Sequence, residues 1–302
     1  MNKLIFVKYI IIVLFGVLIS DIAISFVLET LMNKRYNEQI YSTYNLSADI
    51  AILGASRASH HYIPKVFEDS LHLKTRNLGI DGKNIFTQYI VLRSIVEHSQ
   101  HKPKMVILEL SAIDINDTPK WNTENLNILF PYFRSESYVR DLLKDVLPTG
   151  EFYSLIISGL YRHNSNILTY SKLLLQGFSI KNDGYIPLYR EWNKPIKYEE
   201  EHGLSIHPKK VEYIEKFISL CKQEDIKLIF VVSPNYKLLP NQVWVKTVKA
   251  IALGNNIPFL YHEKDSLFHS HPEWFNEPFH LNDVGAHIYS DLIANEIRQL
   301  NN

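Results

Sequence analysis

The stretch DIAILGASRASHHYIP, Asp49 to Pro64, decides how the chain reads. Ile50 to Leu53 is apolar without alternation, as expected of a strand covered on both faces. It stops at a turn of small residues, Gly54-Ala55-Ser56, and is followed by Arg57, Ser59, His60 and His61. A serine at a strand-to-helix corner has two readings. It can cap the helix. It can also present a nucleophile, with its own N–H and the helix N-terminus beside the negative charge that develops.

Outward from that corner the chain alternates apolar strands with helical patterns. IPKVFEDSL has helical spacing, TRNLGIDG is a short strand running into a glycine loop, and IFTQYIVLRSIVEHS is amphipathic at helical period. KMVILELS and KLIFVVSP read as further buried strands, and IPFLYH as a short one. HPKKVEYIEKFISLCKQEDI, QVWVKTVKAIALGNN and NDVGAHIYSDLIANEIRQL read as helices. Strands separated by helices imply a parallel sheet, and right-handed crossovers make it a three-layer α/β/α sandwich. Ligands in such folds sit beyond the carboxyl ends of the strands. Ser56, Gly82, Ser111, Ser233 and the loop after IPFLYH lie at those ends.

Across 302 residues, Lys+Arg and Asp+Glu are both 32, so no net basic field favours nucleic acid. The single cysteine, Cys221, excludes an internal disulfide. Tyr9 to Leu28, YIIIVLFGVLISDIAISFVL, is long enough to span a bilayer. Lys3 and Lys8 precede it and place the N-terminus in the cytoplasm, against the opposing pull of Lys34 and Arg35. An uncleaved anchor fits better than a cleaved signal peptide, since no A-x-A-like site follows and the run is long. A buried N-terminal helix fits less well, because the run is apolar all round. Asp21 is costly at mid-membrane and belongs either towards the outer end or against a partner helix. The expected organisation is an anchor over 1–32, a connector over 33–48 and a catalytic-type domain over 49–302. A partly helical insertion rich in Tyr, Asn and Leu covers about 117–206 and is expected to cap the site or to pack peripherally.

FNEPFHLNDVGAHIYS, Phe275 to Ser290, holds Glu277 and His280 at E-x-x-H spacing before the last helix. A histidine base needs an acceptor to fix its tautomer, and a carboxylate three residues earlier can supply one. Here the chain resembles the SGNH/GDSL hydrolase superfamily. Gly54-Ala55-Ser56 matches its first block, Asn77-Leu-Gly79-x-x-Gly82 its second, and Glu277-x-x-His280 its last, in the family's order. The resemblance implies Ser56 as nucleophile, His280 as base and Glu277 as orienting acid. The N–H groups of Ser56 and Gly82 would be oxyanion donors. Two positions depart from the pattern. Glu277 replaces the usual Asp, and Ile113, in ELSAIDIN, replaces the Asn that completes the oxyanion hole. Asn84 is the first candidate to stand in, and Asn116 the second. Losing one such donor typically costs ~100- to 1,000-fold in rate.

The closer likeness is to membrane-anchored bacterial members that resemble partners of membrane-bound O-acyltransferases. That implies an extracytoplasmic, single-pass protein of the cytoplasmic membrane. It would act as an esterase or O-acyltransferase on acyl groups, chiefly acetyl, of an envelope or exopolysaccharide glycan. The departure at Ile113 motivates the alternative of a non-catalytic scaffold or glycan-binding subunit of a polysaccharide-modifying membrane complex. No cofactor is expected: neither a P-loop nor a dinucleotide fingerprint occurs. No metal site is expected either, since His262, His269, His271 and His280 match no compact ligand spacing. His60 and His61 are expected at the cleft rim or in solvent.

Overall fold

The structure is a computed structural model that describes residues 3–118, 123–177, 181–194, 205–236 and 243–300. It divides into two compact units. One comprises Met1–Tyr41 with Leu126–Phe178, the other Ser42–Asn125 with Ser179–Asn302.

The second unit is the three-layer α/β/α sandwich. Its sheet has strands β1 (Ile50–Leu53), β2 (Thr75–Asn77), β3 (Met105–Glu109), β4 (Lys227–Val232) and β5 (Phe259–Tyr261), in the order β2-β1-β3-β4-β5. All four pairings are parallel. The strands expected in DIAILGAS, TRNLGIDG, KMVILELS, KLIFVVSP and IPFLYH are all present. Alternate residues face opposite layers, because the pleat has period two. Ile50, Ile52, Ile107, Ile229 and Val231 pack with Tyr62, which follows the helix Ser56–His61, and with Phe67, Tyr289 and Ile293 of the helices Pro64–Leu71 and Asp283–Leu300. On the other layer the helices Ile85–His98 and Pro208–Gln223 pack together, with Ile90, Val91, Tyr213, Phe217 and Cys221 buried. A strand-to-helix transition after β1, after β3 and after β4 leaves three loops side by side at the carboxyl edge of the sheet.

The first unit contains the Lys3–Met32 helix and four helices, Ser137–Val146, Thr149–Ile157, Gly159–His163 and Ile167–Gln176. The Lys3–Met32 helix is long and apolar enough to cross a membrane. Of the stretch 117–206, Leu126–Phe178 falls in the unit of the N-terminal helix. The segment 182–194 belongs to the sheet-bearing unit, where Ile186 N–H donates to Ser59 C=O, Trp192 N–H to Phe275 C=O and Asp283 N–H to Leu188 C=O. The expected connector over 33–48 carries a short helix, Glu38–Ser42, and the unit boundary falls between Tyr41 and Ser42. These divisions follow packing, which a contiguous reading of composition cannot register.

Candidate active site

The corner after β1 is held from two sides. Gly54 has φ +151°, and a Cβ there would stand 2.7 Å from Glu109 O and 2.9 Å from the Ala58 Cβ. Only glycine lets β1 turn this close to β3. The buried Gln88 amide grips the same residue, accepting from Gly54 N–H at 3.1 Å and donating to Gly54 C=O at 2.8 Å. Ala55 then takes the N-cap position without a side-chain cap, and Ser56 opens the helix Ser56–His61. Ser56 is therefore not the capping residue, so its hydroxyl is left to other work.

A two-stranded antiparallel hairpin, β6 (Phe275–Glu277) with β7 (His280–Leu281), brings the other pair. Glu277 and His280 are register partners across it. His280 Nε2 lies 2.7 Å from Ser56 Oγ, and His280 Nδ1 is hydrogen-bonded to Glu277 Oε1. Glu277 Oε2 also accepts Phe279 N–H at 3.2 Å, which fixes the carboxylate in the turn. With a carboxylate on Nδ1, the pattern assigns the imidazole proton to Nδ1 and leaves Nε2 to accept from the serine hydroxyl. The extra methylene of Glu, relative to Asp, is absorbed by this tight cross-strand turn.

Beneath the pair lies a buried network that sequence reasoning missed. His61 and His60 do not sit at the rim or in solvent; they are 0% and 6% exposed. His61 Nε2 accepts Leu281 N–H at 3.0 Å, so its proton is on Nδ1, which lies 2.8 Å from Ser233 Oγ. Ser233 in turn donates Oγ–H and N–H to Glu109 Oε1, at 2.8 and 3.1 Å. Tyr62 donates to Glu109 Oε2. Arg57 Nε is 3.3 Å from Glu109, and its terminal nitrogens donate to Ser233 C=O and Leu110 C=O. Burial pushes Glu109 above the ordinary carboxylate range, against the opposing pull of Arg57, Tyr62 and Ser233. Burial likewise holds His61 well below the ordinary imidazole value, reinforced by the neighbouring His280, Arg57 and His60. Its neutral form is what an acceptor for Leu281 N–H requires. The backbone next to His280 is thereby tied, through His61 and Ser233, to the end of β3. A lone carboxylate in the otherwise apolar MVILEL was the one visible signal of this network.

The cavity beside Ser56 has a volume of about 540 Å³. Ser56, Gly82, Ile113, Asn116, Phe279 and His280 line it, with Arg57, Asn235, Trp244 and Glu263 among the other walls. Its described lining comes from the sheet-bearing unit. Gly82, with φ +67°, sits in the turn that hangs from Gly54 C=O through Ile80 N–H at 3.0 Å. Asn77, the first residue of the second block, donates to Ala58 C=O and Tyr62 C=O and so docks that turn on the Ser56 helix. Asn84 is not a wall: its side-chain oxygen accepts Phe86 N–H and caps the helix Ile85–His98. Of the two stand-ins for the missing Asn, the cavity contains Asn116. The Ala112–Asn116 turn is held by the fully buried Lys210, whose Nζ donates to Ile113 C=O at 2.9 Å and Asn116 C=O at 2.8 Å.

His262 bonds Tyr289 and Glu296, His269 bonds Asn235 C=O, and His271 pairs with Glu273. Among the described residues no group of three or more His, Cys, Asp or Glu is placed to hold a metal ion.

No protein-family model matches the chain, and no curated protein matches it. Solved structures similar in outline include the following two. One is a candidate lipolytic protein of the G-D-S-L family from Desulfitobacterium hafniense, 11% identical, with TM-score 0.42 over 82% of this chain and 97% of that one. The other is a candidate acylhydrolase from Bacteroides fragilis, 14% identical, with TM-score 0.41 over 88% and 96%. Likenesses this remote assign no chemistry. The functional reading rests on the residues and geometry of this chain.

Proposed function

We propose that the protein is an acyl-handling serine enzyme, an esterase or O-acyltransferase, working through a covalent acyl-Ser56. The observation that carries this reading is the continuous line from Ser56 Oγ to His280 Nε2 at 2.7 Å and from His280 Nδ1 to Glu277, opening on a cavity. Such a line turns a weak hydroxyl into a nucleophile. Ser56 Oγ adds to the carbonyl carbon of an acyl ester while its proton passes to His280 Nε2. The former carbonyl oxygen becomes the oxyanion and is received by the N–H groups of Ser56 and Gly82, with the Asn116 side chain as third donor in place of the missing Asn. The C–O bond to the leaving alcohol breaks, and His280 returns the proton to that oxygen. Water or a glycan hydroxyl then attacks acyl-Ser56 by the same route in reverse, giving acid or a new ester. The Glu277 carboxylate stabilises the imidazolium. Arg57 is not a free anion clamp, because Glu109 and two carbonyls hold it.

The substrate class we assign is an acyl ester, acetyl foremost, on an envelope or exopolysaccharide glycan, with a membrane-bound O-acyltransferase as partner and the site outside the cytoplasmic membrane. The resemblance of the three motifs and the apolar N-terminal helix support it. The test is labelling of the full-length protein in detergent with a fluorophosphonate, followed by peptide mass spectrometry. A stoichiometric adduct on Ser56, absent in Ser56→Ala and slowed about 10²- to 10⁴-fold in His280→Ala, is the expected outcome. Glu277→Gln should lose less. No adduct on folded wild-type protein overturns the enzyme reading in favour of the scaffold.

A further inference from the structure

Asp21 lies in the middle of the most apolar stretch of the chain, yet it is 7% exposed. Its carboxylate accepts three bonds: from Ser158 Oγ at 2.7 Å, Gly159 N–H at 2.6 Å and Leu160 N–H at 2.9 Å. Four residues on, one helical turn further, Ser25 packs against Gly159. A Cβ at Gly159 would stand 2.2 Å from the Ser25 Cβ, so the close approach requires glycine. A further turn on, Glu29 receives Ser25 Oγ at 3.1 Å and faces Arg162 at 3.6 Å and His163 at 3.8 Å. The only polar stripe of the Lys3–Met32 helix, positions 21, 25 and 29, is thus occupied by one segment of the same unit. These contacts also need the helix to stay attached: cutting it off would take Asp21 from Ser158 and Glu29 from Arg162 and His163.

Depth follows from length. A hydrocarbon core ~30 Å thick takes ~20 helical residues, which is the run Tyr9 to Leu28 between Lys8 and Glu29. Asp21 is seven residues short of Leu28, so it lies ~10 Å inside that core at 1.5 Å per residue. Residues 158–160, bonded to it, must lie at the same depth. The flanking helices are built for such a place. Tyr153, Ile156 and Ile157 on Thr149–Ile157, and Ile167, Leu168 and Leu175 on Ile167–Gln176, face outward, with Ile157 at 68% and Leu168 and Leu175 at 86% exposure. Non-helical backbone at membrane depth is tolerated only where protein satisfies it. At the break between Ile157 and Gly159, Asp21 does so. Lys172 is exposed on the same segment, and its long stem lets the ammonium reach headgroup level.

We infer that residues 149–176 form a helical hairpin that dips into the lipid hydrocarbon, in the leaflet holding the C-terminal half of the Lys3–Met32 helix. The occupant of its apolar face is lipid acyl chain, argued from continuity with the apolar helix and from the depth of Asp21. The inference rests on the reading that the Lys3–Met32 helix spans a membrane.

The test is spin-label accessibility on the full-length protein in liposomes, with Cys221→Ser as background. Single substitutions Ile157→Cys and Leu168→Cys probe the hairpin. Leu14→Cys reports on the anchor and Lys144→Cys, on the Ser137–Val146 helix, is the aqueous control. Labels at 157 and 168 should match position 14: high collision with oxygen and at least about tenfold less than position 144 with a water-soluble nickel chelate. Nickel access at 157 and 168 with position 14 still lipid-buried overturns the hairpin alone. Nickel access at position 14 as well overturns the anchor reading beneath it. Shielding of 157 and 168 from both reagents shows that protein, a second copy included, covers the face, and this also overturns the lipid assignment.

Discussion

At the scale of single residues, Ser233 is the hinge of the site. It links the neutral His61, which holds Leu281 N–H, to the buried Glu109. Ser233 acts as a positioning residue, through the backbone beside His280. Ser233→Ala leaves a buried imidazole N–H without its partner and removes one bond from Glu109. An orphaned buried donor costs about 1–3 kcal/mol, so urea unfolding should show a loss of that size. If the network also aims His280, the rate of fluorophosphonate labelling should fall in Ser233→Ala and recover in Ser233→Thr, which keeps the hydroxyl. Equal labelling rates in all three proteins, at saturating fold stability, would limit Ser233 to a structural part. Beyond the lone carboxylate at Glu109, nothing in the sequence marked these partners. Ser233 ended a strand like several other serines, and which histidine meets which carboxylate depends on the crossing of three segments far apart in the chain.

At the scale of elements, the strand-to-helix corner after β1 is the demanding one. Gly54 combines a positive φ with a backbone collision awaiting any Cβ. The conformational part alone costs about 1–3 kcal/mol for a non-glycine residue, and the approach of Glu109 O adds to it. Gly54→Ala should therefore lower the unfolding free energy by more than that range, and it should displace Ser56 from His280. Urea titration followed by probe labelling at low denaturant would read both effects; a variant with wild-type stability would mean that β1 and β3 can separate there freely. The corner itself was legible, because an apolar run ending in Gly-Ala-Ser is short and local. Its clamp was not: Gln88 sits in a helix whose pattern reads simply as amphipathic, and nothing local distinguishes it from a surface glutamine.

At the scale of the molecule, two buried ionisable groups shape the pH dependence of stability. Burial lowers Lys210 to about 8. The unfolded chain binds this proton more tightly than the folded one between pH 8 and the unperturbed 10.5, so folding gains stability as pH rises through that window. Full expression of the shift is on the order of 3 kcal/mol. Comparing wild type with Lys210→Met at pH 7.5 and pH 10.5 isolates it. The wild type should gain on the variant by that order, although the variant is less stable throughout for want of donors to Ile113 and Asn116. A constant difference would mean that the folded protein holds the lysine proton as tightly as the unfolded chain does. His60 works in the opposite sense. Burial opposes its charge, but Asp81 and Ile186 C=O outweigh burial and raise it above 6.5. Its contribution is full below pH 6.5 and lost as pH rises through the folded value. Asp81, for which burial is outweighed chiefly by His60, is held below 3.8, and its contribution is lost as pH falls through that lowered value. The pair therefore stabilises most between the two.

The sequence by itself determined the sandwich and the chain order of its elements, and its resemblance to a family pointed to the three residues whose side chains meet at its edge. Apolar runs, helical periods and corner residues are local properties, and local properties survive in a string. Only the tertiary structure decided that the Lys3–Met32 helix and residues 126–178 pack as one unit, that Asn84 caps a helix while Asn116 lines the cavity, and that Asp21 is satisfied by residues 158–160. Each of those depends on which distant backbone groups find one another. In a buried or apolar setting, the cost of leaving a polar group unpaired selects the partner; sequence separation has no part in it.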